Sequence, residues 1–154
     1  MTIEKSKPVL LLGIDLEDVR EYVPGGMNYR DRLETNTQVI LQALEYWGVS
    51  ATFFTVGSVA RRYPSLLRDI ALSGHEIAAH GDTHTQLAKL GPNQMGADLA
   101  RNLDALSVSE FGPVKGFRAP TFSLTQDTQW AYKVLADAGI EYSSSVLPGS
   151  NPLY

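Results

Sequence analysis

The chain has 154 residues, 44% of them hydrophobic and 19% charged, the length and composition of one globular domain with a substantial core. Its formal net charge of -4 and pI near 5.3 leave no basic excess to neutralise phosphates, which argues against nucleic acid and anionic membrane surfaces as partners. With no cysteine there is no disulfide framework, thiolate nucleophile or thiolate-bound zinc, so any metal must be held by His, Asp or Glu.

The first apolar run, Val9-Leu10-Leu11-Leu12-Gly13-Ile14, is too short to span a bilayer, which takes about 20 residues, and no small-residue cleavage site precedes Asp15. It predicts a strand buried on both faces that stops at the acidic cluster Asp15, Glu17 and Asp18, in a cytoplasmic protein for which cell-envelope association stays open. Leu33, Thr37, Ile40, Leu41 and Leu44 then fall at helical spacing up to Gly48. Residues 51–56, rich in β-branched and aromatic side chains, predict the second strand, closed by Gly57. A helical stretch follows, with Val59, Ala60 and Tyr63 before Pro64 and Leu66, Leu67 and Ile70 after it, ended by Gly74.

Glu76-Ile77-Ala78-Ala79 predicts a short third strand running into His80-Gly81-Asp82-Thr83-His84. A helix over 92–106 has Pro92 near its first turn and Met95, Leu99, Leu103 and Leu106 on one face. Residues 114–117 predict a fourth strand, ending at Arg118-Ala119-Pro120. Thr125 is the expected N-cap of a helix that carries Trp130, Val134, Leu135 and Ala138 inward and ends at Gly139. Ile140-Glu141-Tyr142 starts a fifth strand.

Strands alternating with helices imply an α/β fold, a parallel sheet or barrel, since each parallel crossover needs a connection to return the chain. Sites in such folds gather at the carboxyl ends of strands. The acidic cluster, the His pair, Arg118 and the serines Ser143, Ser144 and Ser145 each follow a strand, so all are expected on one rim.

His80 and His84 have the spacing that sets two imidazoles on one side of a helical turn, within reach of one metal ion. The competing reading is two histidines in a polar surface loop. His75, at the opposite end of the third strand, is expected to be structural. In the acidic cluster one carboxylate can complete a two-His, one-carboxylate metal site while another acts as general base; an acidic loop capping the next segment is the blander alternative. Arg118, after a buried strand, is expected to pair with a rim carboxylate and brace a catalytic Asp.

Gly13-Ile14-Asp15-Leu16-Glu17-Asp18, Gly74-His75-Glu76-Ile77 leading to His80 and His84, and Gly116-Phe117-Arg118-Ala119-Pro120 occur in an order that resembles the polysaccharide deacetylases. This family is also called the chitooligosaccharide deacetylase homology domain, or carbohydrate esterase family four. Ala51-Thr52-Phe53-Phe54 resembles its usual second strand, so the likeness covers nearly the whole chain. The resemblance implies a distorted (β/α) barrel over residues 1–154 with Asp15 as catalytic base, His80 and His84 as metal ligands and Arg118 bracing Asp15. It also implies a divalent metal, zinc above others, and as substrate an N-acetylated polysaccharide or oligosaccharide whose acetyl group is removed by hydrolysis, with a backbone N–H near Thr121 stabilising the oxyanion.

Two departures from the family pattern matter. Leu16 separates what are usually adjacent aspartates, so the resemblance points to Glu17, two residues after Asp15, as the carboxylate ligand, with Asp18 as the alternative; this spaced form most resembles the deacetylases of bacterial exopolysaccharide and surface-glycan synthesis. The family's two later motifs have no counterpart before Tyr154, which predicts a barrel incomplete at its C-terminus, with an open edge that favours oligomers. The rival expectations are a catalytically impaired glycan- or metal-binding relative, and a related C–N hydrolase acting on a small cyclic amide.

Overall fold

The computed structural model describes residues 9–107, 112–147 and 149. Its strands are β1 Gly13–Leu16, β2 Thr52–Thr55, β3 Glu76–Ala79, β4 Gly116–Phe117 and β5 Tyr142–Ser143, all parallel and adjacent in chain order in one sheet. The helices α1 Leu33–Trp47, α2 Gly57–Arg62, α3 Pro64–Leu72, α4 Pro92–Ser107 and α5 Ala131–Asp137 lie in the crossovers between them. The alternation read from the sequence is therefore the alternation of the fold.

The pleat divides the sheet into two chemically distinct faces. Leu16, Phe53, Ala79 and Phe117 belong to the core cluster, with the partly buried Ile14 and Ile77 packed against it; the cluster includes Leu66 and Ile70 of α3 and Leu99 and Leu106 of α4. The intervening positions face the other way: Gly13, Thr52, Phe54, Glu76 and Arg118 line a cavity of about 610 Å³. On that inner face Glu76 Oε2 accepts hydrogen bonds from the Thr52 hydroxyl and the Tyr142 hydroxyl, both at 2.7 Å.

The first strand departs from expectation. Val9, Leu10 and Leu11 are 83%, 84% and 89% exposed, and β1 begins only at Gly13, running past Asp15 to Leu16. Only from Leu12, whose carbonyl accepts the Thr52 N–H at 2.9 Å, does the chain meet β2. Hydrophobicity located the strand's neighbourhood but not its ends, because the partner strand sets those.

Smaller differences have local causes. The expected single helix after β2 is two, broken at Tyr63 (φ -130, ψ 57), because Pro64 restricts the residue before it and starts α3 at its first turn. Thr125 caps a separate 3₁₀ turn, Gln126–Thr128, through a reciprocal capping box, and α5 begins only at Ala131, leaving Ala138 exposed beyond its end.

The connection from β1 to α1 is anchored by charge. Asp18, 5% exposed, accepts hydrogen bonds from Arg20 Nε at 2.9 Å and Arg20 Nη2 at 2.7 Å, and also from the Arg62 guanidinium of α2. The Arg20 hydrogen bonds, together with those of Arg62, overcome burial and hold the Asp18 carboxyl far below the usual carboxylate range. Arg62 Nη1 also reaches Glu21 Oε1 at 2.9 Å, so the segment after β1 is tied to the first helix after β2.

Two outcomes test this description. Phe53→Ala, at a fully buried position, should cost about 3–5 kcal/mol and lower the thermal midpoint by roughly 6–20 °C, whereas Leu10→Ser should stay within about 0.5 kcal/mol. Equal losses in circular-dichroism melts would contradict the placement of β1. Because the folded-state pKa of Asp18 is depressed below the ordinary aspartate value of 3.8, its contribution is present above that value and lost as pH falls through the folded one. The stability gap between wild type and Asp18→Asn should thus be full at neutral pH and shrink below about pH 4, as read from melts across pH.

Candidate metal centre

His80, 1% exposed, follows β3 and points to the inner face. Its Nδ1 lies 2.8 Å from the Arg118 carbonyl oxygen, an acceptor only, so Nδ1 carries the proton and Nε2 presents a lone pair. That Nε2 is buried without a hydrogen-bond partner. Burial pushes the His80 imidazole below its usual pKa, and the neighbouring His84 pushes the same way; the Asp15 carboxylate and the bond to the Arg118 carbonyl oppose them without prevailing. A neutral ring with an unanswered lone pair suits a metal ligand.

His84 stands edge-on to His80, ring centroids 5.0 Å apart, and is stacked on Tyr22 at 4.4 Å. Its Nε2 approaches Glu17 Oε2 to 2.7 Å, yet that buried oxygen lacks a hydrogen bond of good alignment. Burial alone would raise the Glu17 carboxyl; contact with His84 and the fields of His84 and His80 outweigh it and lower the pKa. Ligand atoms of Glu17, His80 and His84 all lie within 4.8 Å of one another. Two imidazoles and a carboxylate, with His80 Nε2 buried and unpaired and Glu17 Oε2 buried against His84, fit a divalent cation and leave coordination positions for substrate and water.

The histidines do not sit on a helical turn, as their spacing suggested. Residues 80–84 form an irregular loop with left-handed backbone at Gly81 (φ 78) and His84 (φ 53), which brings the rings together by another path. Between the two carboxylates left open by the sequence, the geometry groups Glu17 with the histidines and turns Asp18 into the Arg20 and Arg62 guanidinium groups. Strand periodicity explains the split: Asp15 and Glu17 are two residues apart and share a face, while Asp18 falls on the opposite one.

Asp15 adjoins the cluster without joining it. Its Oδ1 accepts from Arg118 Nη1 at 2.7 Å, and its Oδ2 lies 3.8 Å from His80 Nε2. Arg118 Nε and Nη2 donate to the carbonyl and hydroxyl oxygens of Ser144 at 3.1 and 2.9 Å, and Ser145 Oγ accepts the Ala119 N–H at 2.8 Å, so these serines brace the rim. A Cβ at Gly13 would lie 2.5 Å from Arg118 Nη2; glycine there gives the guanidinium its path to Asp15. Thr121 and Phe122 adopt left-handed backbone, and the Phe122 N–H donates to the Ala119 carbonyl at 3.0 Å. His75 lies at the other end of β3, accepting the Ala51 N–H at Nδ1, 3.4 Å, against Phe53.

Sequence reading missed Tyr22 and two buried polar residues of α4, Asp98 and Asn102. A signal for the latter existed: both fall among the apolar positions Met95, Leu99 and Leu106, where an unpartnered carboxylate or amide would be costly.

The polysaccharide deacetylase family model matches residues 24–143. The chain is 30% identical over 97 residues to a peptidoglycan-N-acetylglucosamine deacetylase of Bacillus cereus, covering 62% of this chain and 35% of that protein. It is 32% identical over 92 residues to a chitooligosaccharide deacetylase of Bradyrhizobium sp., covering 59% and 42%. This chain thus spans less than half the length of either curated relative. The family 4 carbohydrate esterase from Streptomyces lividans, solved in complex with acetate, matches with TM-score 0.66 and 28% identity over 86% of this chain and 60% of that one. A family 4 pseudoenzyme from Bacillus anthracis, 19% identical, shares the fold with TM-score 0.68 over 86% and 41%. With a (β/α) barrel-type fold in common with these structures and a family model matched over most of its length, the chain belongs to the polysaccharide deacetylase family.

Proposed function

We propose that this chain carries the metal centre and general base of a hydrolase that removes N-acetyl groups from a sugar of a polysaccharide or oligosaccharide. The observation that carries this reading is the convergence of His80 Nε2, His84 Nε2 and Glu17 Oε2, the first of them buried without a hydrogen-bond partner. Support for the substrate class comes from the relatives, one named for N-acetylglucosamine in peptidoglycan and one for chitooligosaccharide. Zinc is the proposed ion, on the family resemblance and the suitability of imidazole and carboxylate donors.

When bound, such a cation supplies Lewis acidity, lowering the pKa of water toward about 7 and polarising an acyl carbonyl. Glu17, His80 and His84 would hold it. Asp15, adjacent yet outside the ligand set, removes a proton from the attacking water as the C–O bond forms. Arg118 fixes the Asp15 carboxylate by ion pairing, so its second oxygen stays beside the cluster. Breaking the C–N bond then gives acetic acid and a free amine, the leaving nitrogen taking up the proton that Asp15 accepted, which restores the carboxylate. The second reading, a relative that binds metal or glycan without turnover, draws on the fold shared with a pseudoenzyme.

Activity and binding measured together separate these readings. His80→Ala and His84→Ala should each abolish tight zinc binding in titration calorimetry. Asp15→Asn should keep the metal while slowing amine release from N-acetylated chitooligosaccharides by about 10² or more. Undiminished metal affinity in both histidine variants would overturn the site, and metal loss in Asp15→Asn would make Asp15 a ligand. Metal binding without amine release by the wild type favours the second reading.

A further inference from the structure

None of residues 80–84 lies in a helix or strand, and backbone bonds hold only the loop's start, where the His80 N–H donates to the Thr55 carbonyl at 3.2 Å and the Gly81 carbonyl accepts the Gly57 N–H at 3.1 Å. Further constraint comes from α4. Asp98 and Asn102, one helical turn apart and 5% and 0% exposed, sit on the same face as Met95, Leu99 and Leu106. A carboxylate and a carboxamide buried there would be costly without partners, and the loop supplies them. Asp98 Oδ2 accepts the Asp82 N–H at 2.7 Å and its Oδ1 the Thr83 hydroxyl at 2.9 Å. Asn102 Oδ1 accepts the His80 N–H at 3.0 Å, while its Nδ2 donates to the Thr55 carbonyl at 3.1 Å, bridging the ends of β3 and β2.

The loop is held from its other side as well. Asp82 Oδ1 pairs with Arg61 at 2.7 Å and its Oδ2 with Arg101 at 3.1 Å. A Cβ at Gly57 would lie 1.9 Å from Asp82 Oδ1, so the start of α2 leaves the loop no slack there. Between His80 and Thr83, three consecutive points of attachment thus run to Asn102 and Asp98: the N–H of His80, the N–H of Asp82 and the hydroxyl of Thr83.

We infer that Asp98 and Asn102 are positioning residues of the metal centre, setting the separation and mutual tilt of His80 and His84 through the backbone of the loop. This rests on the proposed metal centre. In a helical pair of histidines the backbone's own hydrogen bonds do this work; here two side chains of a neighbouring helix replace them. A role confined to fastening α4 to the sheet would instead lower stability and leave the metal's environment unchanged.

Zinc titration against a competing chelator, cobalt(II) visible spectra and melts of the metal-free protein test the inference on the full chain. Wild type and His84→Ala are run first: absence of a saturable one-metal site in the wild type would overturn the metal centre itself, and this inference with it. Given that site, Asp98→Asn should weaken zinc binding about 10–100-fold, the usual effect of losing an outer-shell partner, and change the cobalt spectrum. Thr83→Val removes only the exposed loop's hydroxyl, cannot open the core, and should weaken binding about 2–10-fold. If Asp98→Asn fails to fold, Thr83→Val decides alone. Wild-type affinity and spectrum in the folded variants, whatever their melting temperatures, would overturn the positioning role.

Discussion

A guanidinium enclosed at the rim of a parallel sheet brings five N–H donors and a charge, each costly if unanswered. Arg118, 12% exposed, has its answers spread over the whole sheet. Its Nη1 donates to Asp15 of β1 at 2.7 Å, and its Cζ lies 4.0 Å from the centroid of the Phe54 ring of β2. Its backbone N–H donates to Ala79 of β3 at 2.9 Å, its carbonyl accepts from His80 at 2.8 Å, and Nε and Nη2 reach Ser144 just past β5. The residue after β4 therefore ties together Asp15, the His80 tautomer and the sheet edge. Displacing it would disturb Asp15 and His80 at once, although neither neighbours it in sequence.

How much of this could be read from the residues depended on which interactions set each feature. Alternation of helix and strand was legible because core-facing periodicity is local, and β3 fell where Glu76 to Ala79 placed it. The rim was legible too, since Asp15, His80 and Arg118 each lie at or just past a strand end. The end of β1 was not, because Val9 to Leu11 are as apolar as any buried strand and only pairing with β2 decides where the ladder runs. Leu16, set between what are usually adjacent aspartates, kept the choice between Glu17 and Asp18 open. With Asp15 inside the strand, the period of two assigns Glu17 to its face and Asp18 to the other.

Asp18 illustrates why carboxylate clusters are hard to apportion by type alone. Its neighbour Glu17 is as acidic, and nothing in the local sequence announces that Arg62, 44 residues away, will turn Asp18 into an ion-pair anchor. The two adjacent carboxylates divide the labour: one is satisfied by guanidinium groups and fixes the segment, the other sets a buried oxygen against His84 and beside His80. Fastening the first helps hold the second among the histidines.

Backbone strain falls in the same place. Among the described residues, the non-glycine positions with positive φ are His84, Thr121 and Phe122, at 53°, 55° and 57°, all in the loops that leave β3 and β4. Each costs on the order of 1 kcal/mol or more and persists only where surroundings over-determine it. Ser123 joins the two loops: its hydroxyl donates to Pro120 at 2.7 Å and accepts the Leu87 N–H at 3.0 Å, just beyond the histidine loop. Tyr22 stacks on His84 from the segment that Asp18 anchors. A right-handed backbone at His84 would redirect its Cα–Cβ bond and carry the ring away from His80 and Glu17. The strained torsion and the short approach between Nε2 and Oε2 are thus two aspects of one arrangement, maintained by contacts that lie outside the ligand set.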